Sequence, residues 1–130
     1  MKTGRRTKQQ KRGETGESVA EIFLKRKGYK IVRKNFRKPW GEIDIIAEKG
    51  NTVRFVEVKT VSRESYELSH NPEELVDRRK LIKVARMAAL YMQNTRDRRE
   101  FQIDVVGVIM DDISRIATCR LFEQALESNL

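Results

Sequence analysis

Apolar positions along the chain recur in two ways. Val19, Ala20, Phe23 and Leu24 lie three to four residues apart, as on one helix face. They predict a helix over 15–27, with Thr15 as N-cap and Gly28 as the stop. Leu75, Ile82, Ala85, Ala89 and Met92 predict a second helix, opened by Asn71 as N-cap, Pro72 in the first position and Glu74 in the third. The other apolar runs read as strands. Tyr29, Ile31, Val32 and Phe36 mark one over 29–37, closed by Pro39-Trp40-Gly41. Glu42 to Ala47 and Val53 to Lys59 predict a β-hairpin around Lys49-Gly50-Asn51. A polar loop follows over 60–70. Phe101 to Met110 is a Val- and Ile-rich strand, Asp111-Asp112 a turn, and Arg115 to Phe122 an edge strand. The tail 123–130 reads as short and helical. The order α-β-β-β-α-β-β predicts one mixed-sheet α/β domain over 14–130, with helices packed on the sheet.

At 130 residues the chain has the length of a single domain. Its one cysteine, Cys119, and one histidine, His70, cannot build a zinc cluster. Cys119 reads as a small core residue in a reducing compartment, and His70 as a surface residue. No stretch approaches the ~18 apolar residues of a membrane span. The first residues lack the apolar core of a secretory signal, so a cytoplasmic protein is expected, and no membrane partner.

Charge changes the picture more. Twenty-eight basic residues against 19 acidic ones leave a net +9, which favours a polyanionic partner, nucleic acid first. Residues 1–13, with Arg5, Arg6 and Arg12, read as a disordered basic arm. A second basic stretch spans 78–99, and the two together hold 14 of the 28 basic residues. Arg79, Lys83 and Arg86 share one helix face at i, i+4 and i+7. Each stretch is either an ordinary solvated surface or a track for phosphates. Arg37 joins these candidates. Trp40, on a turn, either packs over the core or offers a platform for stacking a base.

The chemistry is sharpest in the two hairpin strands. Asp44 interrupts Gly41-Glu42-Ile43-Asp44-Ile45-Ile46-Ala47, and Glu57 interrupts Phe55-Val56-Glu57-Val58-Lys59. Carboxylates are depleted from strand interiors and costly there without a partner. Alternation puts Glu57 and Lys59 on one face, about 6.6 Å apart by strand rise. A four-residue loop over 48–51 would pair Asp44 with Phe55 and set Asp44 diagonal to Glu57 on the same face. Two carboxylates ~5 Å apart repel by about 3 kcal/mol at an effective dielectric of 20. A hard divalent cation such as Mg²⁺ removes that repulsion, and Lys59 could then act on an attacking water or a phosphate. The plainer reading is a cross-strand ion pair to Lys59. Glu17 sits in the first turn of the first helix, where it either complements the helix dipole or points over the sheet as a further carboxylate. Asp104 reads as a buried partner for a basic group rather than a ligand.

Gly16-Glu17, Gly28-Tyr29, Asn35-Phe36-Arg37 and the runs Gly41 to Ala47 and Phe55 to Thr60 together resemble the bacterial YraN family, in order and spacing, over about residues 13–110. That family resembles archaeal Holliday-junction resolvases and has the PD-(D/E)XK nuclease fold. The resemblance implies a restriction-endonuclease-like core and hydrolysis of phosphodiester bonds with Mg²⁺ or Mn²⁺. It implies metal ligation by Asp44, Glu57 and the Val58 backbone carbonyl. It makes Lys59 the catalytic lysine and Glu17 the helix-borne acid. It also implies structured or branched DNA as substrate, ahead of RNA, and a homodimer. This chain departs from the family pattern at Val76-Asp77-Arg78-Arg79-Lys80 and at Gln102-Ile103-Asp104. The rival expectation is a non-catalytic nucleic-acid-binding protein that keeps the fold, its acids serving as structural ion pairs.

Overall fold

The computed structural model describes residues 7–69 and 75–126. In chain order these form α1 (Lys8–Arg26), β1 (Lys30–Lys38), β2 (Gly41–Lys49), β3 (Thr52–Ser62), α2 (Arg63–Ser69), α3 (Arg78–Asn94), β4 (Phe101–Asp111) and β5 (Ile116–Phe122). The strands make one sheet in the order β1-β2-β3-β4-β5. β3 and β4 run parallel, and the other neighbours are antiparallel. A parallel step needs a crossover, which the segment carrying α2 and α3 supplies.

Each face of the sheet buries its own core. Ile43, Ile46, Phe55 and Val105 pack against Leu81, Val84, Met87 and Ala88 of α3. Ile45, Val56, Val106 and Val108 pack against Ala20 and Leu24 of α1. The chain is thus a single α/β domain, a mixed five-stranded sheet between helices, consistent with a restriction-endonuclease-like fold. β5 is an edge strand, as its sequence predicts.

Several boundaries differ from the sequence reading. α1 begins at Lys8, so residues 8–13 are helical rather than part of a disordered arm; residues 1–6 lie outside the described residues. The cap is Thr7, not Thr15. Its hydroxyl accepts from the Gln10 N–H while the Gln10 side chain accepts from the Thr7 N–H, closing a capping box. Stability at this end comes from the cap, which apolar periodicity does not reveal. The other end is as read. Gly28 takes φ +91°, and its N–H and that of Tyr29 close on Lys25 and Leu24 carbonyls in a Schellman motif.

The expected loop over 60–70 is instead the end of β3 followed by α2. The next helix is capped by Asp77, whose carboxylate accepts from the Arg79 and Lys80 N–H groups; Asn71 and Pro72 lie outside the described residues. Its core stripe is Leu81, Val84, Met87, Ala88 and Met92, so the expected stripe through Ile82, Ala85 and Ala89 is about one position off. Both faces are apolar, and periodicity alone could not choose. Residues 123–126 are not helical, and 127–130 lie outside the described residues. Cys119 is half-buried at the margin of the α1-side core.

Asp104 is fully buried on β4. It accepts from the Tyr29 hydroxyl at 2.7 Å, Arg54 Nη1 at 3.0 Å, Gln102 Nε2 at 2.8 Å and the Gln124 N–H at 2.9 Å. It is the buried partner of a basic group, as its sequence setting suggested. Four donors compensate the cost of burying the charge.

Candidate active site

The β2–β3 hairpin turns through Gly50 and Asn51, with Lys49 paired to Thr52. Gly50 takes φ +60° in the first central position, which glycine adopts without strain. The loop is two residues, not four, so the register lies two positions from the one expected. An even slip keeps every side chain on its face. Ile46 therefore pairs with Phe55 and Ile45 with Val56, where the paired register stops short of Asp44.

At Asp44 the strand loses its alternation. Ile43 and Ile46, three residues apart, both enter the α3-side core, while Ile45 enters the other. The paired register with β3 ends at Ile45, and Asp44 Oδ2 accepts the Val58 N–H at 2.8 Å. The carboxylate takes up a strand donor and is thereby held beside Glu57.

α1 lies close enough on β3 that a Cβ at Gly16 would fall 2.0 Å from Thr60 Oγ1. Only glycine permits that approach, which brings the neighbouring Glu17 over the hairpin. Asn35, in the left-handed region at φ +53°, ties this corner together. With its amide nitrogen turned inward it donates to Glu17 Oε1 at 3.0 Å and Glu42 Oε1 at 3.2 Å. A cleft of about 350 Å³ opens above, lined by Arg12, Glu17, Asp44, Val58, Lys59 and Lys80 among others.

Glu57 lies beneath, 5 % exposed. Its Oε2 meets Lys80 Nζ at 2.5 Å, and its Oε1 is buried without a hydrogen-bond partner. Burial, and then the neighbouring Asp44 carboxylate, push the Glu57 carboxyl up to about 8, against the pull of Lys80. Burial also raises Glu17, helped by Asp44 and Glu42 and opposed by Arg37. Burial works against the Lys80 charge, but the Glu57 carboxylate outweighs it and raises the ammonium's pKa. Like charges are thus crowded around an acceptor lacking a donor. Oxygen donors in that state fit a hard divalent cation. Among the described residues no three His, Cys, Asp or Glu side chains form a closed metal-binding group. Two carboxylates suffice for Mg²⁺, which keeps several waters.

A family model described as "Uncharacterised protein family UPF0102" matches residues 16–108. The chain belongs to this family. Among its relatives is a UPF0102 protein of Moorella thermoacetica, 37% identical over 116 residues that cover 88% of this chain and 94% of the relative. One of Syntrophomonas wolfei is 41% identical over 98 residues, covering 75% and 83%. One of Clostridium acetobutylicum is 37% identical over 118 residues, covering 90% and 94%. This is the family that the Gly41-to-Ala47 and Phe55-to-Thr60 runs resemble, and the match spans Glu17, Asp44, Glu57 and Lys59. The relatives' names state membership and no activity.

Within this UPF0102 chain the four residues singled out as catalytic come together. Glu17, Asp44 and Lys59 line the cleft, and Glu57 lies under it. Glu17 stands mid-helix, so its first-turn dipole role falls away. Lys59 is exposed, and the cross-strand ion pair considered for it is made instead by Lys80 to Glu57. The basic candidates are dispersed. Arg12 lines the cleft, paired to Asp112 at 2.9 Å. Arg37 sits 3.5 Å from Glu42. Arg79, Lys83 and Arg86 are exposed on α3, and Arg5 and Arg6 lie outside the described residues. Trp40 is 63 % exposed and does not pack over the core. No helix of the described residues is long and apolar enough to cross a membrane.

Two contributors escape the sequence reading. Lys80 looked like one more cation in a basic run. With Leu81 and Val84 assigned to the core stripe, its place on the sheet side of the first turn follows. Asn35 belongs to a recognisable run, but its bridge to Glu17 and Glu42 depends on a left-handed backbone.

The Glu57 carboxyl gives a pH prediction. Its folded value is about 8 against an ordinary 4.5, so between these the folded chain holds a proton that the unfolded chain lacks. Stability of the cation-free protein therefore falls as pH rises from about 5 to 8. Glu57→Gln should remove this component, making the variant more stable than wild type at pH 8 by about 2–4 kcal/mol, with a smaller difference at pH 5. Urea denaturation in EDTA at the two pH values measures it. Equal slopes for both proteins would contradict it.

Proposed function

We propose that this chain is a metal-dependent nuclease acting on nucleic acid, structured or branched DNA before RNA. The observation that carries the reading is the orphaned, buried Glu57 Oε1 beside Asp44, beneath a cleft lined by Lys59 and Glu17. Asp44 and Glu57 would hold Mg²⁺ or Mn²⁺, with the Val58 carbonyl, and Glu17 through water. Bound there, such an ion would supply an activated water and charge stabilisation at a phosphoryl oxygen. Lys59, in the cleft wall with Asp44 and Glu17, would orient the attacking water or donate to a non-bridging phosphate oxygen as charge develops there. Water's oxygen forms the new bond to phosphorus, and the strand's ester oxygen leaves with a proton. Arg12 and the exposed face of Arg79, Lys83 and Arg86 supply phosphate contacts.

The test is cleavage of labelled duplex, single-stranded, flap, nicked and four-way-junction DNA, and of RNA, with Mg²⁺, Mn²⁺ or EDTA. Lys59→Ala should lose about 10²–10³-fold in rate, the usual cost of one charge-stabilising donor. Its stability should stay near wild type, because Lys59 is exposed. Cleavage unaffected by EDTA or by this substitution would sink the proposal.

One observation favours the non-catalytic alternative. Lys80 already occupies Glu57 Oε2, as the partner in a structural pair would. Under that reading every substrate is bound, none is cleaved, and Lys80→Ala destabilises the fold without raising affinity for cations.

A further inference from the structure

A second concavity lies on the α3 side, away from the carboxylates. It measures about 250 Å³ and is lined by Trp40, Phe36, Tyr91 and Leu90, with Arg33 and Lys38 at its edge. Trp40, on the β1–β2 turn, and Leu90 are exposed, at 63 % and 45 %. Phe36 meets Tyr91 edge-on at 5.4 Å between ring centroids. Arg33 and Lys38 both lie over the Phe36 ring, at 5.4 and 5.3 Å from its centroid. No acidic residue lines the pocket, and neither cation is ion-paired to a described carboxylate. Two cations are thus held beside an aromatic surface that leaves them free for an anion. The turn is anchored nearby, since a Cβ at Gly41 would fall 2.6 Å from Met87 Sδ.

We infer that this pocket binds an unpaired nucleobase of a single-stranded segment, stacked on Trp40, with Arg33 and Lys38 on its flanking phosphates. An aromatic face edged by cations suits a base and its backbone, and a duplex keeps its bases inside the stack. Met87 in the pocket floor lies seven residues from Lys80, about 10 Å along α3. The bound base would sit a few nucleotides from the carboxylates. The inference deepens the nuclease reading, on which it rests for its place in a substrate, by requiring an unpaired stretch beside the cut.

Trp40 is the chain's one tryptophan, so intrinsic fluorescence reports on the pocket directly. The test titrates the whole protein, in EDTA, with a short single strand in deoxy and ribo forms, its blunt duplex, and an abasic strand with the same number of phosphates. Quenching by the single strand of either sugar, and little by the duplex or the abasic strand, is the expected result. By anisotropy, Trp40→Ala should weaken single-strand binding about 10- to 100-fold and duplex binding hardly at all, with Trp40→Phe recovering most of the loss. Arg33→Ala and Lys38→Ala should each flatten the salt dependence by about 0.7 in log–log slope. Equal quenching by the abasic strand, no quenching by any strand, or unchanged affinity in Trp40→Ala would overturn the inference. Binding in EDTA is independent of cleavage. An inactive protein that still shows base-dependent quenching fails the nuclease reading alone, and one that cuts without it fails this inference alone.

Discussion

Asp44→Asn is expected to abolish metal-dependent cleavage, by on the order of 10³-fold, while the protein stays folded. The loss follows from replacing an anionic oxygen by a neutral amide where the proposed divalent ion would bind. The fold survives because the remaining carbonyl oxygen can still accept the Val58 N–H, the contact Asp44 makes at 2.8 Å. The cation-free variant should also melt higher than wild type at pH 8, since Asp44 is one of the charges that disfavour ionisation of Glu57. A side chain whose removal stabilises the fold and ends the activity is kept for chemistry. The nuclease assay and a melt in EDTA measure both halves. A variant that cuts normally, or melts well below wild type, would show that Asp44 is structural.

Asp104→Ala should act in the opposite sense. Its carboxylate satisfies Tyr29, Arg54, Gln102 and the Gln124 N–H. Removing it leaves Arg54, only 11 % exposed, with Glu123 as its remaining described acidic partner, and takes the acceptor from the Tyr29 hydroxyl, which keeps only the hydrogen bond it accepts from Arg54 Nη1 at 3.1 Å. Breaking a buried pair costs about 3–5 kcal/mol; the surviving Glu123 contact argues for the low end. That is a large part of the stability of a single domain. Urea denaturation should show a midpoint shift of that size. Where the variant remains folded, its affinity for Mn²⁺ should match wild type, because Asp104 belongs to a separate network. A variant as stable as wild type would contradict this account of the core.

The carboxylates were legible in the sequence for a definite reason. Carboxylates interrupting apolar strands marked Asp44 and Glu57, and the even change of hairpin register kept the two segments in step, although alternation breaks at Asp44 and the Val58 N–H holds its carboxylate beside Glu57. An odd slip would have parted them. Gly16 entered the sequence reading only as part of the family resemblance, and the close packing of α1 on Thr60, which explains this glycine, was not foreseen. What crosses between elements was not legible. Lys80 reaches Glu57 only because α3 turns Leu81 and Val84 to the sheet. Ile82 and Ala85 are as apolar as the residues that won, so periodicity favoured neither face. The start of α1 was hidden for a different reason. Residues 8–13 bury little, and their helix is held by the Thr7–Gln10 cap and by continuity with the packed half. A basic run with no apolar stripe reads as an arm, yet here Arg12 forms part of the cleft wall.

In the proposed nuclease Asp44 and Glu57 share a divalent cation. Calorimetric titration of the protein with Mn²⁺ at pH 7, in two buffers of different ionisation enthalpy, tests it directly. The account predicts one bound ion per chain and release of most of a proton, as the Glu57 carboxyl raised to about 8 ionises on binding. Asp44→Asn and Glu57→Gln should each remove that binding. No binding to the wild-type protein, or the same binding in both variants, would contradict the claim.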